Sequence, residues 1–248
     1  NLKDYKGQSV PQLFHSNAFI ILSNGSDTRI GTLTSTWEHF FDWKRVDDEG
    51  EAGKVSLERA LRGLLDPAHL LDYIENFTVF EEGKGGLSKK TAKNHQFLGV
   101  NKAIARLVEL RKGNDKERKR LGVFWHTQGS GKSLSMVFFT QKILRKMAGN
   151  WSFLIVTDRE ELDNQISKTF KATGATARED VRARSSEHLR ELLRGDERYV
   201  FSLIQKFRNE PGQPYPLLSE RSDVIVITDE AHRSQYDIFA LNMRNALP

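Results

Sequence analysis

Thr127-Gln128-Gly129-Ser130-Gly131-Lys132-Ser133 stands between an apolar run, residues 121–125, and a stretch of helical periodicity, residues 132–147. The order of strand, glycine-containing loop and helix decides the reading of the fold. Glycines let the backbone turn its N–H groups toward one point, and the helix that follows adds partial positive charge at its N-terminus. Such a loop suits phosphate oxygens. Lys132 would reach the β- and γ-phosphates of a nucleotide and the Ser133 hydroxyl would bind Mg²⁺, with Thr127, Gln128, Gly129, Ser130 and Gly131 as the cradle. One position departs from the pattern G-x-x-x-x-G-K-[ST]: His126 stands where its first glycine falls.

Downstream, residues 153–156, 199–203 and 224–227 read as strands, and residues 160–170 as a helix. Strands that are apolar throughout and separated by helices predict a parallel sheet covered on both faces, an α/β fold. The last of them runs into Thr228-Asp229-Glu230-Ala231-His232. Two carboxylates at the end of a buried strand lie where an open α/β sheet presents its ligands. Asp229 would enter the Mg²⁺ shell, and Glu230 would orient and deprotonate an attacking water. With Lys132, these carboxylates form the expected catalytic set, and the implied cofactors are ATP and Mg²⁺.

Upstream the pattern differs. Residues 18–22 and 28–33 read as two strands around the turn signal Asn24-Gly25, and Trp37, Phe40, Phe41 and Trp43 read as core aromatics. Two helical patterns follow the polar segment 47–53, the second with Asp66 as N-cap and Pro67 at its first position. Val100, Ala103, Ile104, Leu107 and Val108 form a helical stripe, and the charge-rich residues 111–120 read as a solvated loop.

Composition narrows the function classes. Hydrophobic residues at 38% and charged residues at 29% are those of an ordinary globular protein. No apolar run approaches the length of a membrane span, and the first residues lack the apolar core of an export signal, so a cytoplasmic protein without a membrane partner is expected. The absence of cysteine excludes disulfides and thiolate metal sites. A formal charge of +5 and a pI near 9.3 allow a polyanionic partner.

Asp229-Glu230-Ala231-His232 resembles the D-E-A-H box of superfamily-two helicases and translocases. Residues 125–133, 156–165, 203–207 and 229–236, with Pro11-Gln12-Leu13-Phe14 and Glu75-Asn76-Phe77, are similar to the motor (R) subunit of type I restriction endonucleases. The resemblance covers nearly the whole chain, and Arg233-Ser234-Gln235-Tyr236 after the box is its most particular part. It implies a prokaryotic, ATP-dependent motor that translocates duplex DNA beside methylation and specificity subunits. The implied architecture has three parts. Residues 1–46 would be the tail of an N-terminal α/β nuclease domain, residues 47–94 a helical linker, and residues 95–248 a RecA-like first motor lobe, incomplete at its C-terminal end. The nuclease carboxylates would lie upstream of residue 1, and a second lobe with an arginine finger beyond residue 248. The short D/E-x-K matches at Asp4 and Glu82 are taken as accidental. Gln96 falls where the family reads adenine, through an amide able to donate to N7 and accept from N6–H. Arg159 and Lys206 match segments that grip the nucleic-acid backbone, and His232 would couple the ATP site to DNA. Two other readings share these residues: a superfamily-two helicase without a nuclease, and a nucleotide-binding assembly module without chemistry of its own.

Overall fold

The computed structural model describes residues 2–113, 120–125, 127, 129–176, 181–209, 213–229 and 237–247, the side chain of Asp237 excepted. The chain forms two compact units, Asn1–Gln141 and Lys142–Pro248.

The first unit opens with a short helix α1 (Leu2–Asp4) and single turns at Tyr5–Ser9 and Pro11–Phe14. Strands β1 (Ile20–Ser23), β2 (Thr28–Gly31) and β3 (Phe41–Asp42) then pair antiparallel in that order. The expected hairpin forms because the Asn24 side chain accepts the N–H groups of Ser26 and Asp27, closing the turn locally. Helices α2 (Leu57–Leu65) and α3 (Pro67–Asn76) follow, capped by the side chains of Ser56 and Asp66. The stretch read as a helical linker also contains an antiparallel hairpin, β4 (Thr78–Gly83) and β5 (Gly86–Thr91). Its polar residues, among them Glu81, Glu82, Lys89 and Lys90, hide it from an apolar-pattern reading. Helices α4 (Asn94–Lys112) and α5 (Lys132–Lys146) complete the unit, and the division between units falls within α5.

An aromatic core fixes these helices. Trp43, Tyr73, Phe77 and Phe138 are fully buried and Phe97 nearly so. Phe77 of the α3 C-cap meets Phe97 of α4 at 4.8 Å and Phe138 of α5 at 5.7 Å between ring centroids. Trp43 closes the other side, 5.6 Å from Phe97 and 5.8 Å from Tyr73, whose hydroxyl donates to the Ala92 carbonyl. The Phe77–Phe97 and Trp43–Tyr73 pairs are edge-to-face, a geometry that fixes relative orientation as well as burying area, and Phe138 brings the middle of α5 into the same packed body. Of the aromatic quartet expected in the core, Trp43 and Phe40 are buried. Trp37 is 61% exposed, with the Arg29 guanidinium 4.9 Å above its ring.

One expected strand is absent. Residues 121–125 form no strand and pair in no ladder, and Val123 and Trp125 are almost wholly exposed. Gly122, at φ +135°, takes a backbone conformation outside the strand region, so the apolar run is interrupted one residue after it begins. Most of the charge-rich stretch 111–120 lies outside the described residues.

The second unit is built on three parallel strands, β6 (Ser152–Thr157), β7 (Tyr199–Leu203) and β8 (Val224–Thr228), in the order β7-β6-β8. Every residue of β6 is buried, which requires cover on both faces. Phe153 stacks on Tyr199 at 5.5 Å, and Phe170 of helix α6 (Glu160–Ala172) meets Tyr199 at 5.3 Å and Phe201 at 5.4 Å. On the opposite face Leu154, Val156 and Val200 pack with Leu189 and Leu193 of α7 (Ser186–Arg194) and with Phe239, Met243 and Ala246 of α8 (Asp237–Ala246). Residues 181–183 add a short parallel pairing outside β7: Ala183 donates to the Phe201 carbonyl and Phe201 to the Val181 carbonyl.

Candidate nucleotide site

In the first unit, the loop before α5 has the backbone that the sequence pattern anticipates. Gly129 and Gly131 take φ of +76° and +95°, conformations a residue with a side chain adopts only under strain. Among the described residues nothing lies within 4 Å of where a Cβ at Gly129 would stand, so that side of the cradle is open to them. Ser130 closes a turn back to Thr127 through its N–H and its hydroxyl, which donates at 2.6 Å. Lys132 and Ser133 are the first two residues of α5, a helix of 15 residues. The first-turn N–H groups of a helix have no intrahelical acceptor and carry the positive end of its dipole. These residues therefore fit a triphosphate with its Mg²⁺: an open glycine loop, a lysine at the helix start and a hydroxyl beside it.

Two neighbours in α4 hold this loop from behind. Gln96 is only 2% exposed, and its Nε2 donates to the Gly131 carbonyl at 2.9 Å and to Ser135 Oγ at 3.1 Å. Its Oε1 accepts from the Lys93 N–H at 2.8 Å. The His95 ring hydrogen-bonds the Ser130 backbone; burial pulls its pKa below the ordinary value and that bond offsets part of the shift. Asn94 faces the other way: its Oδ1 accepts the Lys44 and Arg45 N–H groups and its Nδ2 donates to the Arg45 carbonyl. Nothing in the sequence pattern around Gln96 announces Ser135 or Gly131 as its partners.

A cleft of about 280 Å³ also opens along α4, floored by Phe97 and Leu98 and rimmed by Asp47, Asp48 and Glu49. Its lining sets three carboxylates against one lysine, Lys102, a balance of the wrong sign for phosphate. The glycine loop is the better anion site.

In the second unit, the loops after β6, β7 and β8 leave the same, carboxyl edge of the sheet. Asp229 follows β8, half-buried, and its N–H donates to the Val156 carbonyl at 2.9 Å. Asp158 and Arg159 follow β6; Arg159 is half-exposed and pairs with Asp158 at 3.5 Å. The turn Ile204–Phe207 follows β7, and Gln205 Nε2 donates to the Asp158 carbonyl at 2.9 Å, tying two of these loops together. Lys206 is less available than its motif suggests. Its ammonium donates to the Ala183 carbonyl, and its pKa is pulled down by burial while Asp163 pushes it back. Ser133 and Asp229, the expected metal ligands, belong to different units. Gln128 of the loop, the catalytic candidate Glu230 and the coupling candidate His232 lie outside the described residues. Among the described residues no cluster of three or more His, Asp or Glu side chains forms a metal cage. Mg²⁺ carried by a nucleotide needs one or two protein oxygens rather than a cage. Of the two D/E-x-K matches, Asp4 lies in α1 and Glu82 is exposed in β4.

A parallel sheet with a carboxylate after its last strand and, in the other unit, a glycine loop leading into a long helix are features of an ATPase, and the chain belongs to the SWI2/SNF2 ATPase family, whose model matches residues 95–248. Its particular likeness is to restriction enzymes. It is 37% identical over 98% of its length to the type I restriction enzyme HindI endonuclease subunit of Haemophilus influenzae, and 35% identical over 98% to the putative MjaIXP endonuclease subunit of Methanocaldococcus jannaschii. The SauCOLORF180P endonuclease subunit of Staphylococcus aureus is 27% identical over 95%. The chain spans about a quarter of the length of each of these relatives. Among the described residues no helix is long and apolar enough to cross a membrane.

Proposed function

We propose that this chain is the Mg·ATP-binding part of a motor that moves duplex DNA within a type I restriction assembly, beside methylation and specificity subunits in a prokaryotic cytoplasm. The observation that carries the reading is the glycine loop, with Gly129 and Gly131 at positive φ directly ahead of Lys132 and Ser133 on α5. Lys132 would bind the β- and γ-phosphates, Ser133 beside it would offer its hydroxyl to Mg²⁺, and Asp229 of the second unit is the carboxylate proposed for the Mg²⁺ shell. The metal, when bound, neutralises charge developing on the phosphate oxygens. Glu230 orients the attacking water and takes its proton, and His232 passes the state of the nucleotide toward the DNA. Arg159, on an exposed loop at the carboxyl edge, contacts backbone phosphate. Residues 1–46 and 47–94 serve as the end of a nuclease domain and its linker to the motor. The names of the relatives, all endonuclease subunits, support the restriction context.

Calorimetric titration of Mg·ATP into the chain and into its Lys132→Ala variant tests the site. A charge-assisted hydrogen bond contributes about 1.5–3 kcal/mol net, so removal of the ammonium is expected to weaken binding at least about tenfold. Equal affinity in the two proteins would remove the phosphate role.

A further inference from the structure

The turn between β1 and β2 sets a reactive pair among groups that favour its reaction. Asn24-Gly25 is the one Asn-Gly step in the sequence, and residues 23–27 are exposed. Asn24 Oδ1 accepts the Ser26 N–H at 3.0 Å and the Asp27 N–H at 2.7 Å. The first of these bonds closes a ring that contains both Asn24 Cγ and the Gly25 nitrogen, so the side chain is folded over its own following peptide. Gly25 has no side chain to shield that nitrogen, and among the described residues nothing lies within 4 Å of where its Cβ would stand. Its N–H donates to Ser23 Oγ at 3.1 Å. Ser23 Oγ in turn donates to the Asp27 carbonyl at 3.0 Å and lies 2.9 Å from Thr28 Oγ1. The hydroxyl's donor and both its acceptor sites are thereby engaged.

We propose that Asn24 is a site of spontaneous modification, at which the Gly25 nitrogen attacks the side-chain amide and the turn itself promotes the attack. The bond from Gly25 N to Asn24 Cγ forms, and the Cγ–Nδ2 bond breaks. The Gly25 proton leaves by way of Ser23 Oγ, and a proton from solvent joins Nδ2, which departs as ammonia. In the tetrahedral intermediate the negative charge falls on Oδ1, between the Ser26 and Asp27 N–H groups, an arrangement that serves as an oxyanion hole. The product is a five-membered cyclic imide, formed without oxidation or reduction. Water then opens it. Attack on Cγ leaves aspartate and an intact main chain, whereas attack on the main-chain carbonyl leaves isoaspartate, whose backbone runs through the side-chain carbons. The aspartate form keeps the acceptor for Ser26 and Asp27 and adds charge to those bonds. The isoaspartate form lengthens the main chain between the paired residues Ser23 and Thr28 and so disturbs the turn that sets their register. Either product lowers the formal charge of +5 by one. None of this rests on the nucleotide reading.

The chain is held at mildly alkaline pH, both folded with matched sodium chloride and denatured in guanidinium chloride. Samples are digested, and mass spectrometry with fragmentation that separates isoaspartate from aspartate follows every asparagine. A single preorganised oxyanion donor contributes about 10²–10³ in an enzyme, so even a small share of that makes Asn24 convert at least about tenfold faster in the folded chain than in the denatured one. Asn24 is also expected to outpace every other asparagine of the folded chain. Ser23→Ala removes the acceptor of the Gly25 proton and is expected to slow the folded reaction severalfold while leaving the denatured rate unchanged. Asn24→Gln, whose attack would have to close a larger ring, is expected to abolish the acidic species on ion exchange. A folded chain that converts at the denatured rate or more slowly would overturn the proposal, as would an unchanged folded rate in Ser23→Ala. The ratio of folded to denatured rates needs no variant, so it decides the matter even where Ser23→Ala loosens the turn.

Discussion

Arg182 reaches the buried carboxylate of Asp163 with its Nε 2.8 Å from Oδ2, while its Nη1 donates to Asn164 Oδ1 at 2.7 Å. One guanidinium thus pins residues 181–183, the extra pairing beside β7, to the first turns of α6. Burial pushes the Asp163 carboxyl above its ordinary range, and the Arg182 hydrogen bond draws it back.

Removing the guanidinium leaves Asp163 buried with only the weaker attraction of Lys206 as counter-charge. Breaking a buried pair costs about 3–5 kcal/mol, and the low end is expected because Arg182 is 40% exposed. Arg182→Ala should lower the urea midpoint correspondingly, with most of the loss recovered in Arg182→Ala/Asp163→Asn. A double variant as unstable as the single would show that packing, not charge, carries the effect.

Arg159 and Lys206 should separate in function. Arg159→Ala is expected to weaken duplex binding evenly across sequences and to reduce the salt slope by about one, with stability unchanged. Lys206→Ala removes the donor to the Ala183 carbonyl and is expected to lower thermal stability. Binding measured across a salt series, alongside melting curves, distinguishes them. A change of salt slope in Lys206→Ala without loss of stability would restore it as a phosphate contact.

Glu51 gives the first unit an acid-sensitive loop. Its carboxylate accepts the N–H groups of Val46, Asp47 and Asp48 and pairs with Arg59 at 3.3 Å. Those backbone bonds, more than the arginine, pull its pKa from 4.5 to about 2. A depressed carboxylate contributes stability that is present above its unfolded pKa and lost as pH falls through the folded value. Stability should therefore decline between about pH 4.5 and pH 2, and this part of the decline should vanish in Glu51→Gln. Carboxyl chemical shifts followed by NMR would locate the midpoint; a value near 4.5 would contradict the backbone cradle.

Gly131→Ala should fail for two reasons that a double variant can separate. Positive φ costs a side-chain-bearing residue about 1–3 kcal/mol, and the new Cβ also meets Gln96 Nε2. Shortening the neighbour in Gly131→Ala/Gln96→Ala relieves the second cost only. Stability of the double variant is expected to exceed the sum of the two single effects. Strict additivity would mean the amide moves aside freely.

The parts of this fold that were legible in the sequence are those with local causes. Strands β6 and β8 carry unbroken apolar runs of four residues and β7 is broken only by Ser202, the Asp66 cap and the Asn24 turn bond their own neighbours, and the glycine loop carries its spacing on its face. The parts that were not depend on partners far along the chain. Gln96 finds Gly131 35 positions away, and Arg182 finds Asp163 19 positions away, through tertiary packing that no periodicity encodes. The β4–β5 hairpin escaped notice because a third of its strand residues are charged, and residues 121–125 were read as a strand because the apolar pattern outweighed Gly122. For the site, Gly129 and Gly131 take the positive φ of a tight loop and Asp229 follows β8, while the occupation of Gln96 and Lys206 by backbone carbonyls was invisible.

The order β7-β6-β8 has a consequence for synthesis. The middle strand leaves the ribosome first, and one of its two neighbours, β8, begins only at Val224. At translation rates of about 5–20 residues per second, one side of β6, every residue of which is buried in the finished fold, waits several seconds for its partner. During that interval it is a bare hydrogen-bonding edge, so the nascent chain is most exposed to misassociation just before residues 224–228 emerge.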